Sequence, residues 1–124
     1  MAVGTKGVQG IIAHSSDGIH WTTVSPGATN GNTTTFGSTG QISAVAFGNG
    51  IFVAGGWDGK MAYSKDGIQW TAIPPGTENG TTTTFVSDEI TCIAYGDRVT
   101  DGVHRGGIFV AASQNRKIAY AVVE

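Results

Sequence analysis

The residues best suited to bind a ligand in this chain are an adjacent tryptophan and aspartate, Trp57 and Asp58, within the stretch GGWDGK. An exposed indole ring stacks on the apolar face of a sugar, and a neighbouring carboxylate accepts hydrogen bonds from the sugar hydroxyls. The corresponding position of a later repeat holds Gln114 and Asn115, so a large aromatic side chain replaces a polar one in a turn. The pattern favours carbohydrate binding, and the alternative interpretation is a ring that lies over neighbouring apolar surface.

Two long, nearly identical links form a second candidate surface. They read PGATNGNTTTF, residues 26–36, and PGTENGTTTTF, residues 75–85, and their candidate ligand-binding side chains are Asn30, Asn32, Asn79 and Thr81. Hydroxyl and amide groups in loops can hydrogen-bond a polyhydroxylated ligand. Because the links are so alike, they predict equivalent sites and avidity for a multivalent surface. The alternative interpretation is a pair of soluble loops with no ligand.

No arrangement of acids, bases or nucleophiles predicts catalysis, so we expect no catalytic residues and no enzyme activity. The chain's only arginines, Arg98, Arg105 and Arg116, all lie in its last repeat. Asp88 and Glu89 are adjacent, but neighbours on a strand point to opposite faces, which argues against their working as a pair. We interpret these two carboxylates as solvated charges of a turn.

The histidines give no sign of a metal site. His14, His20 and His104 lack the spacing of zinc ligands. His14 and His20 correspond to Tyr63 and Gln69 in the second copy of the repeat, which argues against a repeated metal site. The glycines lie in turns and not at a strand-to-helix junction that could hold phosphate. We therefore expect neither a metal nor a cofactor.

The charge balance and hydropathy exclude several classes of partner. Seven Lys and Arg residues are scattered among nine Asp and Glu residues, with a formal net charge of −2, so we expect no nucleic-acid partner. The opening MAVGTKGVQG has no basic start followed by an apolar run, so we predict a soluble chain without a signal peptide or membrane insertion. The compartment stays open, because the single cysteine, Cys92, forms no intrachain disulfide and lies in an apolar alternation typical of a buried thiol.

The chain contains an internal duplication. Residues 10–36 read GIIAHSSDGIHWTTVSPGATNGNTTTF, and residues 59–85 read GKMAYSKDGIQWTAIPPGTENGTTTTF. Matching positions lie about 49 residues apart, a period within the range of repeat proteins. With 20 glycines and only 13% charged residues, the composition is typical of an all-β protein and not of a helical bundle or a disordered tail.

Short β-favouring runs separated by turn residues define the repeating unit. Between Ile42 and Ile73 the runs are ISAVAFG, IFVAGG, KMAYS and QWTAI, which predict a four-stranded up-and-down sheet. Asn49 and Gly50, between the first two runs, favour a type I′ turn. An earlier partial copy holds AVGTK, IIAHS and HWTTV, and a later one holds ITCIAYG, GIFVAAS and KIAYAVV, with an insertion at 98–105. We expect roughly ten strands in one domain, divided at 1–36, 37–85 and 86–124.

The hairpin text SSDGIHWT, residues 15–22, and SKDGIQWT, residues 64–71, resembles the Asp-box of sialidase-like and related bacterial β-propellers. The matching residues are Ser15, Asp17, Gly18 and Trp21 in the first copy and Ser64, Asp66, Gly67 and Trp70 in the second. The family motif usually reads Ser-x-Asp-x-Gly-x-Thr-Trp, and this version is one residue shorter, with Gly directly after Asp. The resemblance implies a β-propeller of four-stranded antiparallel blades, about two and a half per chain. We interpret the Asp as an acceptor for backbone N–H groups of the turn and the Trp as cover for apolar surface between sheets.

About two and a half blades cannot close a ring, because propellers usually have four to eight. Open ends leave apolar side chains such as Val45, Phe47, Phe52 and Ile93 without enough cover, so we expect self-association into a closed homo-oligomer, either a dimer or a trimer. Three functions stay open. They are a non-enzymatic, lectin-like module that binds glycans, a structural or protein-interaction propeller fragment with no small ligand, and a sialidase-like glycoside hydrolase fragment. The third lacks the arginine cluster that such enzymes use.

Overall fold

The computed structural model describes residues 1–6, 9–24, 36, 40–73, 85 and 87–124. This part of the chain contains ten strands in three antiparallel sheets, so the prediction of an all-β protein is confirmed. Strands that follow one another in sequence are hydrogen-bonded neighbours in each sheet, as in an up-and-down meander. We call the sheets I, II and III in chain order.

The three sheets are formed by successive parts of the chain. Sheet I comprises β1 (Ala2–Lys6), β2 (Gln9–His14) and β3 (Thr22–Thr23). Sheet II comprises β4 (Ile42–Gly48), β5 (Ile51–Gly56), β6 (Met61–Ser64) and β7 (Thr71–Ala72), with a 3-10 turn at Trp57–Gly59. Sheet III comprises β8 (Ile90–Thr100), β9 (Val103–Ser113) and β10 (Ile118–Val123).

The tight hairpin turns have the backbone that their residue types favour. Asn49 and Gly50 have φ values of 49° and 75°, which a type I′ turn requires, so that prediction is confirmed. Asp101 and Gly102 repeat the arrangement with φ values of 52° and 74°. The insertion at 98–105, expected in a turn, instead continues the β8–β9 ladder almost to its tip, where Thr100 pairs with Val103. Its alternating residues and its own Asp-Gly turn explain the longer hairpin.

Sheet II is apolar on both faces because each face is buried against another sheet. Phe52, Ala54 and Ala62 pack in a core shared with sheet I, whereas the alternate residues Val53 and Met61 pack in a core shared with sheet III. The two-residue period of a strand separates these two sets of side chains. A strand that is buried on both sides therefore reads as a continuous apolar run, as IFVAGG does.

Each core lies between two sheets and contains one phenylalanine from a link. The buried residues between sheets I and II are Ile12, Val24, Phe36, Ile42, Ala54, Ala62 and Trp70. Those between sheets II and III are Ala44, Val53, Phe85, Ile90, Ile93, Phe109 and Ala111. Phe36 and Phe85 occupy matching positions of the repeat, and each has only 1% of its surface exposed. The two junctions are thus built in the same way.

Of the four apolar residues that we expected to be insufficiently buried, Val45, Phe47, Phe52 and Ile93, only Phe47 is largely exposed. Ile93 is buried, and Val45 and Phe52 pack against the core between sheets I and II. Phe47 is 57% exposed. At the matching position Tyr95 lies so close to Gly48 of β4 that a Cβ there would overlap its ring. Sheet I has no strand equivalent to β4 among the described residues, which explains the exposure of Phe47.

The interpretation of Cys92 as a buried thiol is wrong, because the residue is exposed. It corresponds to Ala44 of β4, which is buried in the core between sheets II and III. The alternation in the sequence therefore marked an apolar face correctly. On sheet III, however, no described strand covers that face.

The buried link residue Phe85 and the exposed Phe47 of β4 give a matched pair of stability effects. Replacing buried Phe85 with alanine leaves a cavity between sheets II and III, and we expect a loss of about 3–5 kcal/mol in the free energy of unfolding. The same change at exposed Phe47 should cost about 1 kcal/mol or less. Urea unfolding followed by circular dichroism measures both. Equal losses for the two variants would contradict the assignment of Phe85 to the core.

Candidate ligand-binding site

Trp57 and Asp58 are held at the end of β5 by a short turn with its own hydrogen bonds. The Trp57 N–H donates to the Gln41 carbonyl over 3.0 Å, and the Lys60 N–H donates to the Trp57 carbonyl over 3.2 Å. Asp58 has φ 56° and ψ 28°, a left-handed conformation that few residues other than glycine adopt. The Trp57 side chain stays 43% exposed. The turn therefore presents an aromatic ring and a carboxylate at the surface.

The matching turn of sheet III lies against the segment that connects sheets II and III. The Gln114 N–H donates to the Glu89 carbonyl over 3.1 Å, which repeats the Trp57–Gln41 bond one sheet later. The Gly59 N–H donates to the Asp88 carbonyl over 2.8 Å and so ties the Trp57 turn to the same segment. These bonds bring equivalent turns of neighbouring sheets to either side of residues 87–89.

A cleft of about 320 Å³ lies between these turns. Its lining residues are Trp57, Asp58, Ser87, Glu89 and Gln114. They supply an indole face, two carboxylates, one hydroxyl and one amide, which together offer an apolar platform with several hydrogen-bond donors and acceptors. The cleft is therefore chemically suited to a small polar ligand that has one apolar face.

The wall of the cleft is fixed by contacts of Asp88 and Glu89. Asp88 is buried, with its Oδ1 2.6 Å from the Asn115 Nδ2 and its Oδ2 2.8 Å from the Lys117 Nζ. Lys117 and then Asn115 lower the pKa of the Asp88 carboxyl below its usual value. The Ser43 hydroxyl donates to the Glu89 Oε1 over 2.6 Å. The interpretation as solvated turn charges is therefore wrong for Asp88, which is buried, whereas Glu89 stays half-exposed.

The structure brings together only some of the residues singled out from the sequence. Trp57 and Asp58 line the same cleft, whereas the candidates in the two long links, Asn30, Asn32, Asn79 and Thr81, lie outside the described residues. Sequence reasoning missed the remaining lining residues, which are Ser87, Glu89 and Gln114. Gln114 could have been found, because it takes the place of Trp57 in the next repeat and equivalent turns of stacked sheets lie side by side.

The second Ser-x-Asp-Gly-x-x-Trp turn, residues 64–70, is closed by its own side chains. The Asp66 Oδ1 accepts hydrogen bonds from the N–H groups of Ile68 and Gln69, both over 2.8 Å. The Ser64 hydroxyl accepts from the Gly67 N–H over 2.8 Å and donates to Asp66. Gly67 has φ 76°, which a residue with a Cβ rarely adopts. The backbone donors of this turn are therefore satisfied locally.

The first copy, residues 15–21, repeats the same set of bonds. The Asp17 Oδ1 accepts from the N–H groups of Ile19 and His20, and its Oδ2 lies 2.7 Å from the His20 Nδ1. The His20 side chain is the main cause that lowers the pKa of the Asp17 carboxyl far below its ordinary value. Each Trp also donates its indole N–H to the glycine carbonyl, from Trp21 to Gly18 and from Trp70 to Gly67.

Comparison with protein-family models, curated protein sequences and solved structures found no significant match. Within the ranges that the structure describes, no three His, Cys, Asp or Glu side chains come together as a metal-binding group. No helical stretch of the same residues combines the length and the apolar character that crossing a membrane requires.

The two serines at the start of these turns give a matched test of their role. Ser64→Ala removes the acceptor of the Gly67 N–H at a buried position, so we expect a loss of about 1–3 kcal/mol in the free energy of unfolding. Ser15→Ala removes the same bond at an exposed position, where water replaces the lost partner, and should cost less. Thermal unfolding measures the difference. A larger loss for Ser15→Ala would contradict the structural role of the buried turn.

Acid should destabilise the fold through these carboxylates. The pKa of Asp66 is lowered in the folded state by the backbone N–H groups of Gln69 and Ile68, whereas an unfolded Asp titrates near about 3.9. A group with a lowered folded pKa stabilises the fold above its unfolded pKa and loses that contribution as pH falls through the folded value. The free energy of unfolding should therefore decline below about pH 4.

Asp66→Asn keeps an oxygen acceptor but removes the titrating group. The free energy of unfolding of this variant should therefore fall less steeply with decreasing pH than that of the unsubstituted chain. Urea titrations at a series of pH values measure both slopes. Parallel pH profiles would show that Asp66 makes no contribution to the decline.

Proposed function

We propose that this chain is a non-enzymatic binding module that self-associates into a β-propeller and binds carbohydrate in the Trp57 cleft. The observation that carries the proposal is the cleft itself, where an exposed indole and two carboxylates meet between equivalent turns of sheets II and III. The resemblance of the two Ser-x-Asp-Gly-x-x-Trp turns to the Asp-box supports the same architecture.

The repeated junction between sheets supports a propeller. Each pair of successive sheets packs face to face around a link phenylalanine. The same backbone bond recurs at each junction, from the Gly10 N–H to the Gly40 carbonyl over 2.7 Å and from the Gly59 N–H to the Asp88 carbonyl over 2.8 Å. In a propeller, each blade is an antiparallel meander that packs face to face against the next blade around the ring.

The composition of the cleft supports a sugar as the ligand. An indole face binds the C–H groups on one side of a pyranose, while Asp58, Glu89, Ser87 and Gln114 offer hydrogen-bond partners for hydroxyl groups. The volume of about 320 Å³ is close to the lower end of the range for small-molecule sites, roughly 300–1,000 Å³. We therefore propose a single sugar residue of a glycan as the bound unit.

Four described carboxylates outside the lining of the cleft lack the raised pKa that a glycosidase acid needs. A glycosidase needs one carboxylic acid whose pKa is raised so that it can donate a proton. The pKa shifts of Asp17, Asp66, Asp88 and Asp97 are all downward. At neutral pH these four groups are therefore anions and hydrogen-bond acceptors, which suits a structural or binding role.

Among the described strands, the register puts the aromatic residue of this turn in sheet II only. Ala2 pairs with Ala13 in sheet I as Ala54 pairs with Ala62 in sheet II. Counting forward from these pairs, Thr5 and Lys6 take the sequence positions of Trp57 and Asp58. Sheet I therefore has no aromatic residue at the position that Trp57 holds in sheet II. Multivalent binding then depends on bringing several chains into one assembly.

Glycan-array binding of the intact chain, followed by titration of the best glycan, tests the proposal. Trp57→Ala should weaken binding by at least about fivefold, because stacking contributes on the order of 1–2 kcal/mol. Trp57→Phe should keep part of the affinity. The control Ile68→Ala removes an exposed apolar side chain that does not line the cleft, and it should bind as the unsubstituted chain does.

Two results would overturn this assignment. Binding that survives Trp57→Ala would place the sugar elsewhere. Absence of any bound glycan would leave a structural or protein-interaction propeller as the better account, and turnover of a fluorogenic glycoside would replace the binding module with an enzyme.

A further inference from the structure

The outer face of sheet III is apolar and exposed. The pairing of β8, β9 and β10 places one set of alternate side chains on the side away from sheet II, and we call this set the front face. Its residues are Cys92, Ala94, Ile108, Val110, Ala112, Ile118, Tyr120 and Val122. Ile118 and Tyr120 are 70% and 74% exposed. The part of the chain that the structure describes packs no strand against this face.

The repeat itself shows what covers such a face. Val110 corresponds to Val53 of sheet II, and Cys92 corresponds to Ala44. Val53 and Ala44 are buried because sheet III packs against that side of sheet II, and Val53 is only 7% exposed against 40% for Val110. The same side of two equivalent sheets is thus covered in one case and bare in the other. In sheet II that cover is the opposite side of the next sheet of the repeat.

The outer face of sheet I is the complementary surface. Val3 and Ile12 point into the core with sheet II, so the paired Ala2 and Ala13 lie on the other side, which we call the back face together with Trp21. Trp70, at the position of Trp21 in the next copy, is 1% exposed because it packs in the core between sheets I and II. Trp21 is 47% exposed because no described sheet precedes sheet I.

The strand content of the two end sheets argues that they would stack as neighbours and not merge into one sheet. Sheet III holds the equivalents of β4, β5 and β6, whereas sheet I holds the equivalents of β5, β6 and β7. A single four-stranded sheet made from both would contain two copies of each middle strand. Each chain therefore contributes three sheets to a ring.

We propose that the front face of sheet III packs on the back face of sheet I of a second copy of this chain, with Trp21 taking the role that Trp70 has within one chain. This inference rests on the propeller architecture of the proposed function, and it specifies which two faces meet where the chains join. Propellers usually have four to eight blades, and each chain supplies three sheets. Two copies therefore give about six blades, which is within this range, whereas three copies give about nine, which is outside it. The assembly is a two-fold symmetric dimer with two identical front-to-back junctions.

Sedimentation equilibrium of the full chain and of charged variants tests the junction. The unsubstituted chain should sediment at twice its 12.7 kDa mass. Trp21→Asp places a charge on the back face and Val110→Asp on the front face, and either change should weaken the dimer by at least about 100-fold. Ile68→Asp, in the exposed turn of the central sheet, is the matched control and should leave the dimer intact.

Mixing the two variants identifies the pair of faces that meet. Each variant alone should have the mass of one chain, but a mixture should form a dimer, because the intact front face of Trp21→Asp meets the intact back face of Val110→Asp. Tyr120→Asp, at another exposed front-face position, should behave as Val110→Asp does. A circular dichroism spectrum like that of the unsubstituted chain, with cooperative thermal unfolding, shows that each variant has lost the dimer and kept the fold, although loss of the dimer itself should lower the unfolding temperature.

The remaining outcomes overturn the inference in distinguishable ways. A dimer of only one variant would show that the face left intact in that variant pairs with itself, and dimers of both variants would show that neither face is the interface. A mixture that stays at the mass of one chain would show that the front and back faces do not meet. Each of these results leaves self-association and glycan binding standing. A single-chain mass for the unsubstituted protein would remove both the junction and the self-associating propeller, while the glycan titration with Trp57→Ala would still report on the cleft alone.

Discussion

The structure depends on one constraint, which is that its sheets are apolar on both faces and each face needs another sheet. The central sheet meets this requirement within the chain, since alternate residues of β5 enter separate cores on its two sides. The end sheets meet it on one side only. Trp21 and Trp70 show the consequence most clearly, because the same residue in the same hairpin is exposed in one sheet and buried in the next.

The candidate site follows from the same stacking. Sheets that pack face to face bring their equivalent turns side by side, so a residue of one repeat lies next to the matching residue of the following repeat. Trp57 and Gln114 line the same cleft for this reason, together with Glu89 of the connecting segment. A ligand site at such a junction uses side chains that the repeat is free to vary while its core residues stay alike.

Much of the fold could be predicted from the sequence, because duplicated text and turn residues act locally. Asn49 and Gly50 specify their turn through backbone preference alone, and the apolar alternation gives the strands. Burial depends instead on which sheet lies opposite. Cys92 was therefore assigned to the interior although its face is bare, and Asp88 was assigned to solvent although Lys117 and Asn115 enclose it. The cleft is formed by three separate segments, and only Trp57 and Asp58 could be recognised from residue type.

The only cysteine of the chain lies on the bare face of sheet III and reports directly on whether that face is covered in solution. The decisive measurement is the rate at which a thiol reagent modifies Cys92 as the protein is diluted. If a second copy covers the face, the thiol should be protected at high concentration and become reactive as the assembly dissociates. A rate that is fast and independent of protein concentration would contradict the account, because the face would then be open in the native protein.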